Sequence, residues 1–388
     1  MSGPLFYLIA GEPSGDRLGA ALMTALRQAR PDIIFAGVGG REMVAAGLDT
    51  LFDIDDLAVM GIVEVVPRLR TIMRRMRETT LDVLHRRPAA LITIDSPAFS
   101  LRVAQRVRRQ APGIRTIHYV APSVWAWRPG RARHMAGFVD HVLALLPFEP
   151  PYMETAGMSC DFVGHPIVER EPVGASDVQE FRARIGVGPV TPLLLVAPGS
   201  RKGEVGRLIP AFSETVCRLA SRLDGLRVVV PVAETVIDEV TRGFSGLDPA
   251  PAYILPTAGE RERLTGFAAA DVALVASGTI VLEMAAACTP MVAAYRTSWL
   301  TSQIVRRLIR VDTANLVNLI AGGHPVPEFL QEFSTVEALM GSLLPLFHEG
   351  EQRTVQLEAF DLALTALGRG GEAPSCRAAR SVLASLER

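Results

Sequence analysis

The chain alternates short, almost wholly apolar runs with longer stretches in which apolar residues recur every three or four positions. In the first half the runs are LFYLIAG, IIFAGVGG, ALITIDS, RTIHYVAP, HVLALLP and CDFVGHP; in the second they are PLLLVAPGS, LRVVVPV, AYILP, VALVAS and MVAAYR. Helical patterns fall between them near 15–29, 98–110, 204–222, 260–270 and 279–288. Nearly continuous apolar strands separated by helices predict parallel sheets covered on both faces. Because the series occurs twice, the expected fold is α/β, with two Rossmann-like doubly wound domains facing across a cleft. Such a pair sets both groups of strand C-termini beside a shared ligand site.

The stretch VEREPVGASDVQEF after Pro166 is polar, carries no apolar run and is the expected linker. Domains are therefore predicted at 1–168 and 169–349. Beyond about residue 335 the pattern is helical only, and helices within 350–388 are candidates to cross back to the first domain. A length of 388 residues fits two domains better than one.

Residues 57–77 stand apart from this alternation. Met60, Ile62, Val63, Val65, Val66, Leu69, Ile72 and Met73 mix with Arg68, Arg70, Arg74, Arg75 and Arg77. An amphipathic segment of this kind fits a membrane interface with anionic lipid. An ordinary buried helix with a solvated basic face fits the same pattern.

Composition narrows the field. The net charge is −1, which argues against a nucleic-acid partner. Lys202 is the sole lysine among 40 Lys and Arg residues, a bias that genomic base composition explains. The four cysteines (160, 217, 288 and 376) are widely spaced and suggest neither a zinc site nor a disulfide framework. No secretory pattern and no apolar run of about 20 residues occurs, so a cytoplasmic soluble protein is expected.

Several turns carry candidate chemistry. In APGSRKGE a strand feeds a helix whose first N–H groups are free to hold an anion, with Ser200 and Arg201 as directed donors. The spacing does not match a nucleotide-hydrolysing phosphate loop, and a plain strand-to-helix turn is the alternative. A second such turn, Ser277-Gly278-Thr279, is followed one helical turn later by Glu283, whose carboxylate suits a ribose diol. Two such turns in one domain favour a nucleoside diphosphate over a single phosphate.

In the first domain, Asp95 follows ALITI at a strand end, and Asp16 lies in AGEPSGD with Gly11, Glu12 and Ser14. A carboxylate at such an edge can take a proton from an attacking hydroxyl, although Asp95 also suits a helix N-cap. The stretch HYVAPSVWAWRPGRARH gathers Ser123, Trp125 and Arg128 with further arginines. Aromatic faces and guanidinium groups suit sugar and phosphate, and a buried tryptophan anchor is the alternative. The chain's two asparagines, Asn315 and Asn318, lie together in TANLVNLIAGG, and His165 in VGHP reads as a turn residue.

Taken in order, AGEPSGD, IDSPAFS, PSVWAWRPGR, LLPFEP, FVGHP, APGSRKGEV, SGTIVLEMA and NLIAGGHPVPEFLQ resemble the lipid-A-disaccharide synthases, from residue 10 to about 331. The resemblance implies the glycosyltransferase B architecture. It also implies transfer of 2,3-diacylglucosamine from UDP-2,3-diacylglucosamine to 2,3-diacylglucosamine 1-phosphate, giving a β-1,6-linked disaccharide and UDP. An α-linked donor and a β-linked product mean a single in-line displacement with inversion. On this resemblance Asp95 is the general base, and Arg201 with Ser200 and the Gly278-Thr279 helix start stabilises the departing phosphate. Glu283 is the ribose ligand, and Asn318 positions substrate.

No metal or cofactor is implied. Acylated substrates imply a protein peripherally bound to the inner membrane through residues 57–77, and a homodimer is compatible with the sequence. The family pattern P-G-S-R-x-x-E is met by Pro198, Gly199, Ser200, Arg201 and Glu204, so Lys202 falls on a variable position. Two other readings compete: a UDP-sugar enzyme of the same architecture such as a UDP-N-acetylglucosamine 2-epimerase, and a UDP-sugar-binding module without chemistry.

Overall fold

A computed structural model describes residues 3–57, 62–128, 130–298 and 311–387, with only the backbone of 62–68. The chain forms two compact units, one of Met1–Glu169 with Leu367–Arg388 and one of Arg170–Ala366.

The first unit is built on a seven-stranded parallel sheet: β1 (Leu5–Ala10), β2 (Ile34–Gly39), β3 (Asp49–Asp53), β4 (Ala90–Ile94), β5 (Arg115–Tyr119), β6 (His141–Ala144) and β7 (Ser159–Phe162). Their spatial order is β3-β2-β1-β4-β5-β6-β7. Along β1 the side chains alternate between two cores, Tyr7 and Ile9 on one face, Phe6, Leu8 and Ala10 on the other. That two-sided burial is why this strand reads as an unbroken apolar run. β3, with the polar sequence DTLFD, is an edge strand that apolar patterning does not reveal.

The terminal helix Pro374–Leu386 packs on helix Pro13–Ala29, with Ala378, Ala379 and Val382 in the core. A polar anchor joins it to the sheet: the buried His141 ring bonds Ser159 Oγ at 2.8 Å and Ser381 Oγ at 2.7 Å. Ser381 in turn donates to Asp161 at 2.6 Å. The helix Glu351–Ala366 stays with the second unit, so the chain returns at Leu367, later than residue 350.

The second unit has a six-stranded parallel sheet: β8 (Leu193–Ala197), β9 (Arg227–Pro231), β10 (Ala252–Ile254), β11 (Val272–Ala276), β12 (Met291–Tyr295) and β13 (Glu328–Leu330). The order is β10-β9-β8-β11-β12-β13. Only the start of the expected linker is irregular. Ala175–Arg184 is a helix, held by buried Arg182, which donates to the carbonyls of Ala269 (2.7 Å), Gly188 (3.0 Å) and Thr191 (2.5 Å). Its polarity comes from its exposed face, while Phe181 and Arg182 are buried.

Each sheet reverses its order once, between β1 and β4 and between β8 and β11. At such a reversal the flanking loops part in opposite directions and leave a crevice at the strand C-termini. Gly11–Asp16 and Asp95-Ser96 follow the first pair of strands, while Pro198–Arg201 and Ser277–Thr279 follow the second. The sheets have thus put most of the candidate residues at two switch points.

Candidate active site

At the first switch point, Asp95 and Ser96 both hold left-handed backbone, with φ of 45° and 43°. Non-glycine residues in that region cost about 1–3 kcal/mol each. The strain is fixed by the Asp95 N–H, which donates to Tyr119 O at 3.0 Å, and by Ser100 Oγ, which donates to Asp95 O at 2.6 Å. Gly11 makes room for this turn: a Cβ there would lie 2.3 Å from Ser96 Oγ. The helix Ser100–Gln110 begins at Phe99 without a side-chain cap, so Asp95 is no N-cap. Its carboxylate is half-buried at the sheet edge and makes no hydrogen bond among the described residues. Ser14 and Glu12 are exposed beside it at the start of helix Pro13–Ala29.

Asp16 is placed otherwise. Its buried carboxylate accepts from the backbone N–H groups of Gly40 (2.7 Å), Met43 (3.1 Å) and Glu42 (3.0 Å). It therefore caps the short helix Arg41–Ala45 from outside, and its lone pairs face amides rather than a ligand. A sequence motif locates such an acid without telling where its oxygens point.

The tryptophan loop is divided between anchoring and exposure. Trp125 Nε1 donates to Glu149 Oε1 at 3.2 Å, and its ring packs edge-on against Phe148 at 5.2 Å. Glu149 Oε2 also accepts from Leu145 N at 3.1 Å and Leu146 N at 3.0 Å. Trp125 is thus the anchor. The exposed face belongs to Trp127, under the Arg128 guanidinium at 4.5 Å, and to Ser123.

Burial pushes the Glu149 carboxyl up to about 7, against the pull of its three N–H donors. The folded value lies above the unfolded one, so this group's stabilising contribution is complete below about pH 4.5. It is lost as pH rises through about 7, a loss of about 3 kcal/mol. In urea denaturation followed by tryptophan fluorescence, wild type should lose more stability than Glu149→Gln between pH 5 and 8. Equal losses would contradict this account.

The second switch point encloses a cavity of about 270 Å³ lined by Gly199, Ser200, Glu204, Arg263, Phe267, Ser277, Gly278, Thr279 and Glu283, among others. Gly199 has φ of 111°, which lets β8 turn sharply into helix Lys202–Ala220. Arg201 is that helix's N-cap residue, exposed and unpaired among the described residues. Lys202 points elsewhere: its Nζ is 3.2 Å from Glu239, and its side chain is 71% exposed. Gly278 and Thr279 are exposed at the start of helix Ile280–Ala286.

Glu283 is more constrained than a ribose ligand alone would be. Arg263 forks onto it with two bonds of 3.0 Å, and Arg170 adds one of 2.8 Å. Burial alone would raise its pKa, but Arg263 and Arg170 outweigh that and hold it below the ordinary carboxylate value. It is fixed as an anion, with at most one acceptor direction left for a hydroxyl. Neither arginine carries a sequence signal, because the pairing joins residues up to 113 positions apart.

Asn318 lies apart from this cavity. Its amide donates to Val326 O at 2.9 Å and accepts from Val326 N at 3.0 Å, pinning the loop before β13. Asn315 caps the helix Leu316–Ala321, accepting from Val317 N at 2.9 Å. Both are buried fold-building amides. Among the described residues no group of three or more His, Cys, Asp or Glu is placed to hold a metal.

Residues 6–375 match the family described as Lipid-A-disaccharide synthetase. The chain is 49% identical to the lipid-A-disaccharide synthase of Ruegeria pomeroyi over 382 residues, 97% of this chain and 94% of that one. The chain belongs to the lipid-A-disaccharide synthase family. A second synthase, from Rhodospirillum centenum, is 48% identical over 98% of this chain and 94% of its own length.

Among solved structures, the S. aureus MnaA–UDP complex superposes with a TM-score of 0.65 at 13% identity, covering 98% of this chain and 95% of that one. The UDP-GlcNAc 2-epimerase of Neisseria meningitidis bound to UDP-GlcNAc gives 0.62 at 12%, covering 99% of each. At these identities the likeness is one of fold, the glycosyltransferase B architecture. As a lipid-A-disaccharide synthase family member the chain is a glycosyltransferase of lipid A biosynthesis that uses a UDP-sugar.

Proposed function

We propose that the chain transfers 2,3-diacylglucosamine from its UDP conjugate to the 6-hydroxyl of 2,3-diacylglucosamine 1-phosphate, with inversion, releasing UDP. The observation that carries the site assignment is the pair of switch points: an unpaired carboxylate at one, a cavity ringed by helix starts and hydroxyls at the other. Asp95 takes the proton as the acceptor oxygen attacks the anomeric carbon. The bond to the UDP β-phosphate oxygen breaks, and its electron pair adds charge to the diphosphate. Arg201, Ser200 and the Gly278-Thr279 amides stabilise that charge. Glu283, held by its two arginines, is left one acceptor direction for the ribose. Trp127 and Arg128 flank the acceptor side.

Acyl chains need an apolar surface, and no described helix is long and apolar enough to cross a membrane. Part of 57–77 lies outside the described residues. In the described part, Leu69 (47% exposed) and Met73 (44%) lie one turn apart beside Arg70, Arg74 and Arg77, while Met76 is fully buried. This supports a face that meets anionic lipid at the inner membrane. Replacing Leu69 and Met73 together by serine should weaken cosedimentation with phosphatidylglycerol vesicles by at least about tenfold, the scale of losing one fully buried apolar side chain. Unchanged cosedimentation would return the segment to an ordinary solvated helix.

The epimerase reading is tested separately. With UDP-N-acetylglucosamine as sole substrate, this chain should form no manno-epimer by NMR. Its appearance would favour that reading over transfer.

A further inference from the structure

Glu204 is the one acidic side chain lining the second cavity that has no counter-charge bonded to it among the described residues. It occupies the third position of helix Lys202–Ala220, three residues after the N-cap Arg201. The usual task of a glutamate there is to reach back to the N-cap N–H. Glu204 makes no such bond. Its carboxyl folds over Gly199 instead, so closely that a Cβ at Gly199 would lie 2.6 Å from Oε2. That places an acidic group, half-buried, beside Ser200, Gly278 and Thr279 on the wall of a cavity otherwise suited to an anion.

A charged carboxylate in that position would repel a diphosphate, whereas a neutral carboxylic acid adds an O–H donor. We propose that Glu204 acts in this site as a neutral carboxylic acid, donating a hydrogen bond to an anionic oxygen of the bound diphosphate. The inference rests on the donor reading given above. No new proton transfer is involved: the acceptor's proton goes to Asp95, and Glu204 keeps its own.

The surroundings agree. Burial raises the Glu204 carboxyl above its ordinary pKa, and Arg201 only partly opposes this. Tyr295, at the end of β12, is pushed up chiefly by burial, so it stays neutral and adds no second negative charge beside Glu204. Arg207 lies within electrostatic range of Tyr295 but bonds the Gly203 carbonyl. Lys202 is paired with Glu239, and Arg263 across the cavity is paired with Glu283.

The test is UDP binding to the full chain by calorimetry at pH 5.5 and 8.5, for wild type, Glu204→Gln and Glu204→Ala, with circular dichroism to confirm folding. Glutamine keeps a donor and cannot ionise, so it also corrects for the titration of UDP itself. Relative to Glu204→Gln, wild type should weaken by about tenfold between the two pH values, the scale of one hydrogen bond to a charged group. The two should bind alike at pH 5.5, and Glu204→Gln should be the tighter at 8.5. Glu204→Ala should be weak at both. Three results would each overturn the inference: a glutamine variant that weakens with pH as wild type does, one as weak as alanine, or an alanine variant as tight as wild type. Failure of UDP to bind wild type at either pH would instead remove the donor reading itself.

Discussion

Asp95→Ala should lower turnover by about 10²–10⁴-fold, the range typical of a general base, while leaving UDP affinity within about twofold. The separation follows from placement: Asp95 stands at the β1/β4 switch point of the first unit, and the proposed UDP cavity lies wholly in the second. Asp95→Asn tests the same claim without removing the side chain's volume. Asparagine tolerates left-handed backbone as aspartate does, so the strained turn at φ 45° should survive while the base is lost. Turnover by Asp95→Asn within threefold of wild type would remove Asp95 from the chemistry. Loss of UDP binding in either variant would show that the turn serves the fold of both units rather than proton transfer.

Arg201→Ala should cost about 10²–10³-fold in kcat, the scale known for removing one donor from a developing oxyanion. Lys202→Ala, one residue on, should change kcat less than threefold. The two side chains differ in what they already hold. Lys202 is an exposed partner of Glu239, an ion pair of a class worth about 0–1 kcal/mol. Arg201 stands exposed at the helix N-cap, and among the described residues its guanidinium makes no hydrogen bond or salt bridge, which leaves its donors free for the proposed departing phosphate. Steady-state kinetics of both variants, with comparable KM for the donor, would support this division. Equal losses would mean that the positive charge of the turn matters and the position of Arg201 does not.

The architecture was legible because parallel strands buried on both faces must be apolar throughout, and such runs are visible in any sequence. β3 and β13 leave no apolar run because each carries acidic residues, in DTLFD and EFL, and neither is buried on both faces. The helix Ala175–Arg184 reads as linker because it buries little besides Phe181 and its anchor Arg182, a charged residue held by backbone carbonyls. Burial of that kind leaves no apolar trace.

At the sites, the strand-end positions of Asp95, Arg201 and Gly278 follow from the alternation of elements alone. The partners of side chains do not. Asp16, Trp125 and Asn318 fall in the resembling motifs, yet each is occupied within the fold, by the amides of a short helix, by Glu149 and by Val326. Glu283 is shared between a ligand direction and two arginines far away in sequence. Pairings across 24 to 113 residues depend on the folded register and are not encoded in local spacing.

The most direct measurement mixes UDP-2,3-diacylglucosamine with 2,3-diacylglucosamine 1-phosphate and the full chain, and follows the products by mass spectrometry and NMR. The account predicts equal amounts of UDP and a β-1,6-linked tetraacyl disaccharide 1-phosphate, formed only when both substrates are present. Release of UDP without disaccharide, or a product with retained α configuration, would contradict it.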